Sequence, residues 1–232
     1  MQSTPSSEIA FPRASAVWPG CILGGIVNAV MTAENTGYSS FCGWNEMDYW
    51  MNGGDGRYGV ITFDAGHLVG TFCNVKSPRT PFHRGESFNL DEFFRGCPPF
   101  QRALAEMRTL KYWHQEGHEG PFITSAFWDD RDCLTAADST WDIVLEHGAD
   151  LAETEVMGDV PTAWANWKEG YQMSEQQIAL AQAIFSRKVN SAAVPLVLPP
   201  AEVAMLKTWC ADVAALKVCR EVFSCMGIIL PA

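Results

Sequence analysis

The sequence predicts an α+β protein: a small antiparallel sheet built around a central hairpin and packed by C-terminal helices. Three observations carry that expectation. Two runs of six residues, Tyr58-Gly59-Val60-Ile61-Thr62-Phe63 and His67-Leu68-Val69-Gly70-Thr71-Phe72, are rich in β-branched and aromatic side chains and flank Asp64-Ala65-Gly66. Gly66 supplies the positive φ that a three-residue hairpin loop needs. Beyond Asp138 strand signals fade and helix starts recur, at Ser139 with Asp142, at Ser174 with Gln177 and at Pro199-Pro200. The composition, 47% hydrophobic and 19% charged, has enough apolar surface for a folded core and too much for a disordered chain. Residues 1–232 are expected to form a single domain, with 1–135 carrying the strands and 136–232 mainly helical.

Taken in order, residues 14–33 are apolar nearly throughout, so periodicity leaves open whether they form a strand or a helix. The stretch Cys21 to Ala33 is too short to span a bilayer, which needs about 20 residues, and Pro19-Gly20 precedes it; no membrane segment is expected. Phe41, Trp44, Met47 and Met51 stand at helical spacing, predicting a short helix that Gly53, Gly54 and Gly56 stop. Pro78 and Pro81 make Val75 to Phe88 a loop, and it holds the basic residues Lys76, Arg79, His83 and Arg84. Asn89 or Asp91 caps a short helix through Phe94, a longer helix runs from about Phe100 to Glu116, and Pro121 to Trp128 is a third strand. Helices to about Ala152 and Asn190 follow the two Ser starts, and a long final helix runs from Pro199-Pro200 to near Gly227.

Charge is distributed unevenly. Residues 129–159 hold ten acidic and one basic side chain of a chain whose net charge is −11. Clustered Lys and Arg for phosphate contacts are lacking, which argues against a nucleic-acid partner. On a helix starting at Ser139, Asp142, Glu146 and Asp150 recur every four residues with Asp138 before them, forming an acidic stripe. Like charges at that spacing cost roughly 0.2 to 0.5 kcal/mol per pair. The stripe predicts a docking face for a basic protein partner, set against the plainer reading of a solvated helix face. Lys76, Arg79 and Arg84 form a candidate anion-binding cluster, whose plainer reading is a solvated loop. The eight cysteines contain no Cys-x-x-Cys pair and lie mostly in apolar runs, as free core thiols of a reducing, cytoplasmic compartment do. Gly53-Gly54-Asp55-Gly56 lacks the Lys-Ser/Thr of a phosphate cradle, and no cofactor is expected.

Two catalytic alternatives stand beside the binding reading. Cys42 with His67 and Asp64 or Asn74 offers a thiol, a base and an orienting group. Phe41-Cys42-Gly43-Trp44 followed by Gly66-His67-Leu68-Val69 resembles the Cys-then-His order of papain-like hydrolases, which implies a nucleophile at Cys42 and a base at His67. The 25 positions from Cys42 to His67 are few for building the central sheet of such a fold. His114 and His118, at i and i+4, would face one side of a helix as metal ligands do, with His83, Glu119 or Cys133 as third; the plainer reading is a helix end that favours histidines. Met47-Asp48-Tyr49-Trp50-Met51-Asn52-Gly53-Gly54 looks like the helix-to-Asn-Gly-Gly passage of some bacterial immunity domains. That resemblance implies an inhibitor or immunity-type protein binding a basic partner.

Overall fold

The computed structural model describes residues 10–113, 120–156, 158–191 and 194–231. The fold is α+β with antiparallel strands and C-terminal helices, and the chain divides into two compact units. One unit comprises the N-terminal segment through Ala14 together with Asp55–Glu153; the other comprises Ser15–Gly54 and Thr154–Ala232. The division therefore falls elsewhere than at residue 135, and both units are discontinuous in sequence.

In the second unit, residues 14–33 resolve as one helix, α1 (Ala14–Glu34), with Pro19 inside it. Its 21 residues are long and apolar enough to cross a membrane by length and composition, and 78% of that apolar window is buried in the fold. A helix apolar on all sides is expected to be covered on all sides. Its two polar interior residues are both satisfied: Asn28 donates to the Cys42 carbonyl at 2.9 Å and accepts from the Tyr171 hydroxyl at 3.0 Å, and Thr32 donates to the Asn28 carbonyl.

The helix expected over Phe41 to Met51 is instead a hairpin, β1 (Cys42–Asn45) and β2 (Asp48–Asn52), paired Cys42↔Met51 through Asn45↔Asp48. Glu46, at φ 57, makes the turn without a glycine to announce it. Cys42 with Trp44 and Tyr49 with Met51 are buried two residues apart, as in strands, while Phe41 and Met47 of the expected helical stripe are exposed.

The same unit holds α5, the short helix Glu153–Val156, whose last three residues fall within it, then α6 (Val160–Tyr171) and α7 (Glu175–Asn190). Helix α7 opens with the expected capping box, in which Ser174 and Gln177 exchange side-chain and backbone hydrogen bonds. Gln177 also donates to Glu34 at the end of α1, 2.7 Å away. The expected single final helix is two, α8 (Pro200–Trp209) and α9 (Val213–Cys225), because Asp212 starts a new helix by accepting from the Ala215 amide. A parallel pair, β7 (Leu196–Val197) with β8 (Ile228–Ile229), brackets them.

The first unit is a four-stranded antiparallel meander: β3 (Arg57–Asp64), β4 (His67–Asn74), β5 (Ser125–Asp130) and β6 (Cys133–Thr135). Asp64↔His67 closes the central hairpin, so its loop is the two residues Ala65 and Gly66, at φ 49 and 83. Both central residues left-handed is the turn whose twist matches paired strands. Because a left-handed residue with a Cβ costs 1–2 kcal/mol, Gly66→Ala should lower stability by about 1 kcal/mol, measured by urea denaturation.

Val69, Ala126 and Trp128 of the meander share a core with Phe94, Leu104, Ala105 and Leu110, the last four supplied by the 3₁₀ turn Leu90–Phe94, by α3 (Pro99–Met107) and by the 3₁₀ turn Thr109–Trp113. Phe127, which touches Phe72, packs on Trp141 at 5.6 Å, and Trp141 begins α4 (Trp141–Glu146).

Candidate functional site

The acidic segment does not form one helix. Thr140 caps α4 by accepting from the Ile143 amide; the helix ends at Glu146, Gly148 turns the chain at φ 125, and Ala149–Ala152 is a separate 3₁₀ turn. A residue at φ 125 breaks α-helical progression, so Asp150 leaves the face that Asp142 and Glu146 share. Two of the four expected docking carboxylates are occupied internally. Asp138 receives both arms of Arg79 at 2.8 Å, and Asp150 pairs with Arg57, which also grips Asp55 at 3.0 Å. Asp142 and Glu146 remain exposed, with no ion pair among the described residues.

The basic loop is anchored rather than loose. Ser77 and Thr80 are buried; the Ser77 hydroxyl lies 3.0 Å from His147 Nδ1 and accepts from the Arg79 amide. Thr80 caps the single turn α2 (Pro81–Arg84) by accepting from the His83 amide. Burial, followed by the nearby Arg79 charge, pushes His147 below the ordinary imidazole value, so this anchor is neutral at physiological pH.

From this loop Arg79 and Arg84 reach a cavity of about 180 Å³. Glu92, Phe93, Ala137 and Asp138 line it too, and so does a third guanidinium, Arg95. Arg84 donates to Glu92 at 2.9 Å; Arg95 is exposed and has no ion pair among the described residues. Lys76, the other expected anion ligand, is not among the lining residues. Arg95 was not legible in the sequence because the 3₁₀ turn Leu90–Phe94, which returns the chain to Arg84, has no periodicity to read.

Cys42 and His67 fall in different units. Cys42 sits on a strand rather than at a helix start, is 4% exposed, and its thiol is pushed up to about 12 by burial. A thiol held neutral is a poor nucleophile. The carboxylate partner of His67 is Asp129, Oδ2 to Nδ1 at 2.8 Å, rather than Asp64 or Asn74. Asp129 is buried; its Oδ1 accepts from the Leu68 amide at 2.7 Å, and Gln101 donates to its backbone carbonyl at 3.1 Å. Asp129 opens the acidic block 129–159, and the strand pairing of β5 turns it inward. This dyad orients an imidazole that is 45% exposed and packs, tilted by 51°, against Phe100 at 5.0 Å. His114, His118 and Glu119 lie outside the described residues; among the described residues no group of three His, Cys, Asp or Glu is arranged to hold a metal ion.

Comparison with protein-family models, with curated proteins and with solved structures yields no match.

Proposed function

We propose that this chain is a binding protein that receives a carboxylate or phosphate group of its partner in the pocket of Arg79, Arg84 and Arg95. One observation carries the reading: three guanidinium groups line a single cavity, two of them held by carboxylates and the third without an ion pair among the described residues. Each guanidinium has five N–H donors, so pairing with Asp138 or Glu92 fixes its direction and leaves donors unused. Three cations against two carboxylates leave one positive charge, which an anionic group would neutralise. Titration with inorganic phosphate at low salt is expected to show saturable binding, and Arg95→Glu should weaken it at least tenfold at unchanged stability, since charge-assisted hydrogen bonds contribute about 1.5–3 kcal/mol each. Phosphate binding that is absent, or equal in the variant, would remove the reading.

A second reading is favoured by the exposure of Asp142 and Glu146 on α4. They form what remains of the acidic docking face, and a basic protein partner would meet them. Reversing both to Lys is expected to leave denaturation unchanged and to abolish capture of any basic protein that elutes with salt. The cysteine-hydrolase alternative has the burial of Cys42 against it.

A further inference from the structure

The turn end of the central hairpin holds a group of side chains that neither reading uses. Asp64 and His67 are partners across the β3–β4 turn, and β5 lies beside β4 with Trp128 opposite Val69, so Asp129 comes up beside His67. The first turn of α3 adds Phe100 and Gln101. The site lies wholly within the first unit.

The imidazole is held from one side and open on the other. Asp129 Oδ2 stands 2.8 Å from His67 Nδ1, and the carboxylate is itself fixed, its Oδ1 accepting from the Leu68 amide at 2.7 Å. A carboxylate only accepts, so with one proton on the ring that proton sits on Nδ1 and the lone pair on Nε2. Gln101 Nε2 also lies 3.2 Å from Nδ1, but two donors do not bond each other; its hydrogens go to the Asp129 carbonyl at 3.1 Å and toward Oδ1 at 3.4 Å. Nε2 makes no hydrogen bond among the described residues, and it belongs to an exposed side chain. Phe100, itself half-exposed, gives the ring an apolar neighbour. The charge in contact with the ring is a carboxylate, and Arg102, next to Gln101, is turned to Asp91 and Glu106. A neutral carbonyl compound therefore suits the site better than an anionic phosphoryl donor.

We propose that His67, oriented by Asp129, is an acyl-transfer site whose Nε2 takes the acyl group of a neutral activated ester, with the ester's apolar part against Phe100, and passes it to water. The Nε2 lone pair attacks the carbonyl carbon, the C–O bond to the leaving alcohol breaks with its electron pair, and the acyl-imidazole gives up its Nδ1 proton to solvent. Water then adds to the acyl carbon, the C–N bond breaks, the ring regains a proton, and a carboxylic acid leaves. Asp129 is the positioning residue: it keeps the proton on Nδ1 and the lone pair toward solvent.

The test uses the full chain with its exposed thiols, Cys133 and Cys225, alkylated first, at about pH 8, above the ordinary imidazole value of about 6.5. Diethyl pyrocarbonate, a neutral acyl donor whose histidine adduct is long-lived, should modify His67 several-fold faster than His83, which is also exposed but whose Nδ1 meets the Thr80 hydroxyl at 2.7 Å instead of a carboxylate. Hydrolysis of p-nitrophenyl acetate should fall about tenfold in His67→Gln, since the attacking nitrogen is gone. Asp129→Asn keeps an oxygen for the Leu68 amide and turns an NH₂ donor to Nδ1; hydrolysis should fall similarly, and ¹⁵N NMR should show the His67 lone pair moved from Nε2 to Nδ1. Equal modification of His67 and His83, hydrolysis unchanged in His67→Gln, or a wild-type lone pair on Nδ1 would each overturn the proposal. The comparison with His83 and the wild-type ¹⁵N shifts need no variant, so they stand even if Asp129→Asn fails to fold.

Discussion

Glu155→Gln should remove a fall in stability that the wild-type carboxyl contributes between about pH 4.5 and pH 7. Burial, the largest cause, lifts the Glu155 carboxyl from 4.5 to about 7, against the lowering effect of the Tyr49 hydroxyl. The folded chain therefore keeps a proton that the unfolded chain has already released. Stability contributed by this group is complete below about pH 4.5 and is lost as pH rises, levelling off above about 7. Each pKa unit corresponds to 1.36 kcal/mol, which gives a loss of roughly 3 kcal/mol across the window.

Other groups act elsewhere or with opposite sign. Asp55, held below 3.8 chiefly by its hydrogen bond from Arg57, titrates at more acid pH. Cys42 and Tyr49, raised by burial, titrate at alkaline pH. His147, depressed by burial, makes stability rise with pH up to about 6.5 and so partly masks Glu155 in the wild type. The difference between wild type and Glu155→Gln isolates the carboxyl. Urea melts at a series of pH values would show it, and parallel wild-type and variant curves would mean that Glu155 is solvated.

Gly20→Ala is expected to destabilise the second unit by about 2 kcal/mol. A Cβ on Gly20 would stand 1.7 Å from the Glu155 carbonyl oxygen and 2.6 Å from its carbon, so α1 or the Glu155 backbone must move. Alanine in a helix gains about 1 kcal/mol over glycine, whereas overpacking a tight contact costs about 1–3 kcal/mol and more when the obstacle is backbone. Packing outweighs propensity. Ala at Gly24, one turn on, would meet the Tyr49 hydroxyl at 2.5 Å, a side chain with some freedom to yield, and should cost less. Denaturation of the two variants decides the order, and a stabilised Gly20→Ala would show that the contact between Glu155 and α1 yields at little cost.

The parts of this fold that were legible in the sequence are those in which local chemistry and tertiary pairing agree. The β3–β4 hairpin has strand-forming runs and a glycine at the residue that must be left-handed; Ser174 and Gln177 spell a helix start that packing leaves alone. The β1–β2 hairpin was hidden because Phe41, Trp44, Met47 and Met51 fall at helical spacing while Glu46, not glycine, takes the turn. The acidic stripe assumed an unbroken helix, and Gly148 at φ 125 interrupts it.

Arg79 and Arg84 were readable as a cluster because they are near neighbours in sequence. Glu155 was not, because it is one of ten acids in a segment whose composition reads as solvated. The signal that would have marked it lies elsewhere: Gly20 and Gly24, spaced one turn apart on α1, make a shallow strip where another backbone can approach.

The discontinuity of the second unit governs the order in which the molecule can be made. Ser15–Gly54 leaves the ribosome about 100 residues before Thr154, and at about 5–20 residues per second that interval lasts roughly 5–20 s. During it α1, a 21-residue helix apolar on every side, has none of α6 to α9 to cover it, while the continuous Asp55–Glu153 stretch of the other unit is being completed. Nascent chains halted before Thr154 should therefore depend on a holdase that full-length chains have outgrown.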